Sequence, residues 1–201
     1  MARVPIAVNT QIIAGLNTGD TTSNAPSPYM VTEGNIQTYS AALNAITPAA
    51  TPTDWLTLQG ATGVVARLLY LRLQYRATLG TQYRVQARRY STLFSGGTPV
   101  VVTPLTNDGG DPANSCVLQT WAGGLPTIGG TPIAFEDDSI NAGVLGTPAW
   151  AYRYEYDYTK ANAKAVYIRT AAQYISLWSN AVALPGGSVF DVKIMWSESP
   201  L

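Results

Sequence analysis

Histidine is missing from this chain. Its absence removes the commonest general base, the commonest metal ligand and every Ser-His-Asp or Cys-His arrangement together. Charge is scarce too. Charged residues make up 12% of the chain, with twelve basic against twelve acidic, where about 25% is usual. No global field favours nucleic acid or an anionic membrane. The lone cysteine, Cys116, cannot form an internal disulfide and reads as a small buried hydrophobe. No run is long and apolar enough for a membrane span, and the opening MARVPIAVNT lacks the apolar core of a secretory signal. Synthesis and folding in a cytoplasm is the expectation. Paired glycines recur in SGGTP, DGGDP, AGGLP, IGGTP and PGGS, but none precedes a helix or carries the Lys-Ser/Thr ending of a phosphate loop. They read as turns, and no cofactor or metal is expected.

What remains is abundant Thr, Val, Tyr and Gly in a chain that is 46% apolar, a β-rich composition. At 201 residues the chain suits one domain with an appended arm. Residues 1–46 read as that arm, because NTGDTTSNAPSPY is a turn-rich polar tract that builds no core. Within it EGNIQTYSAALNAI has Ile36, Tyr39, Leu43 and Ile46 spaced for one face of a short helix. Pro48 and Pro52 mark a boundary, and residues 47–201 form the expected domain.

Strand signals then follow in series. Leu69, Leu71, Leu73 and Tyr75 alternate with Tyr70, Arg72, Gln74 and Arg76. After LGT, Tyr83, Val85 and Ala87 alternate with Arg84, Gln86 and Arg88. Two half-buried strands across a short Gly-containing loop predict a hairpin. Short strands continue through CVLQTW, WAYRYEYDY, KAVYIRT, QYISLWS and SVFDVKIMWSE, with no long helix among them. The predicted fold class is all-β, an antiparallel jelly-roll sandwich with an extended N-terminal arm.

Candidate chemistry is sparse. Glu136, Asp137 and Asp138 form the densest carboxylate run, but their spacing matches no calcium loop and a solvated loop is the reading taken. Asp108 and Asp111 sit beside Gly and Pro as turn residues do. Glu155 and Asp157 share one strand face with Arg153, which suits a cross-strand ion network better than sugar hydrolysis. Arg72, Arg76, Arg84 and Arg88 share one face of the predicted hairpin, as a solvated face, a protein interface or a nucleic-acid surface. In WAYRYEYDY, Trp150, Tyr152, Tyr154, Tyr156 and Tyr158 fall on every second position, opposite the charges. The aromatic face is expected inward, with Tyr156 or Tyr158 reaching a subunit boundary. Trp121, Trp150, Trp178 and Trp196 are the alternative candidates for stacking on sugar rings.

The order PAATPTDW, RRYSTLFSGGTP, PLTNDGGDPANS, LQTWAGGLPTIGG and VYIRTAAQYISLWSNAVALPGGSVFDVKIMWSE resembles small structural proteins of tailed bacteriophages, over about Thr47 to Glu198. The chain departs from their pattern in its tyrosine-loaded strand and in IRT where LRG is usual. The resemblance implies a non-enzymatic virion component of jelly-roll type, a cement, decoration or head-fibre protein on the capsid exterior. It implies the major capsid protein or other virion proteins as partners and a homo-oligomer with a trimer favoured. From the even charge balance and the lack of a membrane span, no membrane partner is expected and nucleic acid is the less favoured one. The other reading is a receptor- or carbohydrate-binding module of a tail fibre.

Overall fold

The structure is a computed structural model describing residues 6–8, 11–13, 36–49, 51–76, 81–92, 94–121, 126–127, 129–142, 151–160, 165–180 and 189–201. The chain divides into two compact units, Met1–Ile36 and Gln37–Leu201. In the first, β1 (Ile6–Val8) pairs antiparallel with β2 (Gln11–Ile13). The tract NTGDTTSNAPSPY lies outside the described residues.

Among its described residues the second unit holds strands and no helix. In chain order these are β3 (Gln37–Ile46), β4 (Thr53–Gln59), β5 (Val64–Arg76), β6 (Thr81–Tyr90), β7 (Pro99–Val102), β8 (Leu105–Thr106) and β9 (Val117–Trp121). There follow β10 (Ile133–Ala142), β11 (Ala151–Asp157), β12 (Val166–Ile168), β13 (Tyr174–Ser179) and β14 (Val189–Pro200). One sheet runs β10-β6-β13-β4-β9-β7; the other runs β11-β5-β14-β3-β8, with β12 also beside β5. Every strand pair is antiparallel, as expected for an all-β sandwich. The long strands pair in nested fashion: β3 with β14, β4 with β13, β5 with β11, β6 with β10.

Period-two alternation accounts for the core. Leu71, Leu73 and Tyr75 of β5 and Tyr83, Val85 and Ala87 of β6 are buried, while Arg72, Arg76 and Arg84 keep to the outer faces. At the centre Phe190 lies 5.0 to 5.4 Å, centroid to centroid, from the rings of Trp55, Tyr75 and Tyr83. Fully burying such a side chain contributes about 1.5–3 kcal/mol. Leu69 does not take the inward place expected of it. The β5–β14 register slips between Met195 and Trp196, and Leu68 turns into the core.

Three expectations change. Residues 37–46 are neither arm nor helix but β3, so the compact unit starts at Gln37. Tyr39 is fully buried with its ring 5.8 Å from that of Trp196, and Ala41 is buried on the same face. The strand ends in a bulge at Ala45 (φ 57°), whose N–H donates to Asp191 Oδ1 at 2.9 Å. The β5–β6 hairpin is not formed either. β5 pairs with β14, β11 and β12, whereas β6 pairs with β13 and β10 in the opposite sheet. Arg72 and Arg76 therefore lie on the outer face of a different sheet from Arg84 and Arg88. Finally, Glu136, Asp137 and Asp138 belong to an edge strand, β10, rather than a loop. Edge strands accept such charges because they block pairing with another chain.

Candidate functional site

The arginines singled out by sequence are held by neighbours in their own sheets. Arg76 Nε lies 2.7 Å from Asp191 Oδ2, and Arg72 stands in register between Glu155 and Lys193. Beside them Arg153 pairs with Glu155 at 2.8 Å, and the Tyr70 hydroxyl donates to the same Glu155. On the other outer face Arg84 Nε donates to Asp137 Oδ1 at 2.8 Å. Gln86 donates to Asp137 and accepts from Arg88, whose guanidinium carbon lies 3.6 Å from the Trp178 ring centroid. The Arg84 guanidinium holds the Asp137 carboxyl below its ordinary range, and Arg76 does the same for Asp191. Arg76 and Arg84 are thus paired with carboxylates on their own faces. Such exposed pairs contribute about 0–1 kcal/mol.

Under Arg88 the same face carries a buried carboxylate. Asp54 accepts from the hydroxyls of Tyr90 (3.0 Å) and Ser176, and burial raises its pKa. Both oxygens are occupied, so the group knits β4, β6 and β13 together. Glu198 plays a similar part on β14. It is buried and accepts from Trp196 Nε1 at 2.8 Å and from the Ser115 and Cys116 amides at 2.8 and 3.1 Å. Cys116 is buried beside it, and burial pushes its thiol well above the ordinary range. An inert structural thiol is the result.

The two sheets leave two open sides. On one, β10 and β11 face each other, bridged by tyrosines. Tyr158 donates to Glu136 Oε1 at 2.9 Å, and Tyr154 to the Ser139 carbonyl at 3.3 Å. Burial, then the neighbouring Glu136, drives the Tyr158 pKa upward. Between these bridges Tyr156 packs 6.4 Å from the Tyr158 ring, and its buried hydroxyl has no partner among the described residues. The aromatic face of β11 does point inward. Tyr158 closes its own sandwich, while Tyr156 is half-buried. The side chains of Trp150 and Tyr152 lie outside the described residues.

A cleft of about 590 Å³ opens here, lined by β10, the end of β11, the start of β12 and Arg89. Phe135 is the extra residue of a bulge in β10, since Ala134 pairs with Arg88 and Glu136 with Ala87. The bulge spreads the edge and makes room. Glu136 and Asp138 face the core residues Ala87 and Val85 and so share the inner face of β10. The cleft brings Glu136 and Tyr158 together, which no spacing in the sequence announces.

The opposite side has a different character. The strands β7 and β8 form its two edges, and residues 91–107 carry no charge. Val100, Val101 and Leu105 are 53%, 63% and 72% exposed. The uncharged run PVVVTPL was the available signal, and it reads in sequence only as a short strand closed by Pro104.

The remaining candidates are structural. Asp108 accepts from the Gly110 amide and Asp111 from the Thr38 amide, which seats their loop on β3. Trp121 and Trp196 are buried, and Trp178 is covered by Arg88. Among the described residues no group of three or more carboxylates or thiols is placed to hold a metal. Compared with known proteins, the chain matches no protein-family model and no curated protein.

Proposed function

We propose that this chain is a non-enzymatic structural protein of a tailed-phage virion, a jelly roll that binds the capsid surface and decorates or stabilises it. The contrast between the two open sides carries the reading. The side formed by β10 and β11 bears Glu136, Asp137, Asp138, Arg153, Glu155 and Asp157, charges that discourage edge pairing. The side formed by β7 and β8 presents Val100, Val101 and Leu105 with no charge, and its two strand edges are unpaired among the described residues. Unpaired backbone groups beside apolar side chains form a template for a partner polypeptide. The nested pairing of β3 with β14, β4 with β13, β5 with β11 and β6 with β10 supports the jelly-roll reading, as does the resemblance in the sequence.

The partner is the major capsid protein or another virion protein, and the homo-oligomer in place is a trimer. Density of purified particles tests this. The chain should occupy the capsid exterior with β7 and β8 against a neighbouring subunit. Particles that lack the chain altogether would overturn the reading. The cleft favours a second reading, a receptor- or carbohydrate-binding module of a tail fibre.

A further inference from the structure

We propose that the cleft between β10 and β11 is a saccharide-binding site, taking an uncharged pyranose unit of an oligosaccharide. The inference stands independently of the capsid reading, because the cleft and the β7–β8 strip lie on opposite sides of the sandwich.

Two charged groups in the cleft have hydrogen-bonding capacity that no described residue uses. Arg89 stands in register with Ile133 and Ile175, is exposed, and makes no hydrogen bond, ion pair or ring contact among the described residues. Glu136 uses Oε1 to accept from Tyr158, and its Oε2 has no hydrogen-bond partner among the described residues. Around them stand the Tyr156 ring, Phe135, Ile133, Ala165 and Val166. A purely apolar ligand would bury these polar groups without partners, which costs free energy. An anion meets the Glu136 carboxylate. A cation meets Arg89, and the other carboxylates at the mouth are already engaged, Glu155 by Arg153 and Tyr70, Asp157 by Thr159 and Lys160.

A pyranose satisfies what is left. Its neighbouring hydroxyls both donate and accept, so they bridge a planar guanidinium and a carboxylate oxygen. Its flat C–H face lies on an aromatic ring. The volume of about 590 Å³ falls in the range of about 300–1,000 Å³ typical of small-molecule sites.

The test presents the full chain to an array of defined neutral oligosaccharides and to an array of peptides, followed by calorimetric titration of the glycans that bind. Arg89→Gln and Glu136→Gln are compared with wild type. Arg89 has no partner among the described residues, and a glutamine amide oxygen at position 136 can still accept from Tyr158, so the fold should hold, and circular dichroism verifies that. Glycan binding by wild type, weakened about tenfold or more in each variant, is expected. Absence of glycan binding by the folded wild type overturns the site, as does glycan binding that neither variant weakens. Peptide binding lost in both variants, with no glycan bound, reassigns the cleft to a polypeptide and also overturns it. None of these results bears on whether the chain is found in particles.

Discussion

Tyr75 and Tyr83 stack across the interior with ring centroids 6.3 Å apart and planes 3° from parallel, although their strands follow one another in the chain and lie in opposite sheets. This pair, with Phe190 against both rings, joins the two sheets at the centre of the core.

Removing the ring at that centre has a large cost. Phe190→Ala strips a fully buried side chain from contact with Trp55, Tyr75 and Tyr83. Such truncations cost about 3–5 kcal/mol. Urea denaturation should show that loss, and a change below about 1 kcal/mol would place the centre of the core elsewhere.

Truncation separates the arm from the sandwich. A chain beginning at Gln37 keeps β3 and should unfold cooperatively, with near-ultraviolet circular dichroism like the full chain. A chain beginning at Thr47 loses Tyr39 and Ala41 from the core and uncovers one edge of β14 along Trp196. It should not reach the same folded state. Equal melting temperatures for the two truncations would contradict the place given to β3.

Acid should act on two carboxylates in opposite senses. Asp191 is held below its ordinary range by Arg76, so its contribution is present above the usual aspartate value of about 3.9 and is lost as pH falls through the lower folded value. Asp138 is raised by burial, then by Glu136 and Asp137. Its ionisation therefore opposes folding at neutral pH, and the penalty fades as pH falls through the raised folded value towards the ordinary one. At about pH 7, Asp191→Asn should melt below wild type and Asp138→Asn above it. Both gaps should narrow on acidification, that of Asp138→Asn at the higher pH. A lower melting temperature for Asp138→Asn at neutral pH would contradict the sign.

The sequence made the inward faces legible more readily than the pairing. Leu71, Leu73, Tyr75, Tyr83 and Val85 alternate with polar neighbours, and all are buried as the alternation requires. Alternation does not say which strand lies alongside. A hairpin and a crossing to the opposite sheet both turn the same residues towards one core, so the β5–β6 link read as a hairpin. Ile36, just before β3, and Tyr39, Leu43 and Ile46 within it satisfy helical spacing as well, and the choice of strand is made by the open edge of β14 that β3 covers. The acidic run of β10 looked like a loop because Glu and Asp are poor strand formers, yet on an edge their charge is an advantage. Tyr158 and Glu136 meet only because their strands lie on the same open side of the sandwich. The β7–β8 strip stayed hidden because PVVVTPL reads only as a short strand closed by Pro104, and nothing in the run says that the strand lies at an edge.

The most direct test of capsid binding is co-sedimentation of the full chain with particles assembled without it. Val101→Asp combined with Leu105→Asp puts charge on side chains that are 63% and 72% exposed, and surface changes of this kind usually shift stability by no more than about 0.5 kcal/mol each. Wild type should sediment with the particles, while the double variant, folded by circular dichroism, should remain in the supernatant. A double variant that sediments as wild type does, or a wild-type chain that stays in solution, would contradict the account.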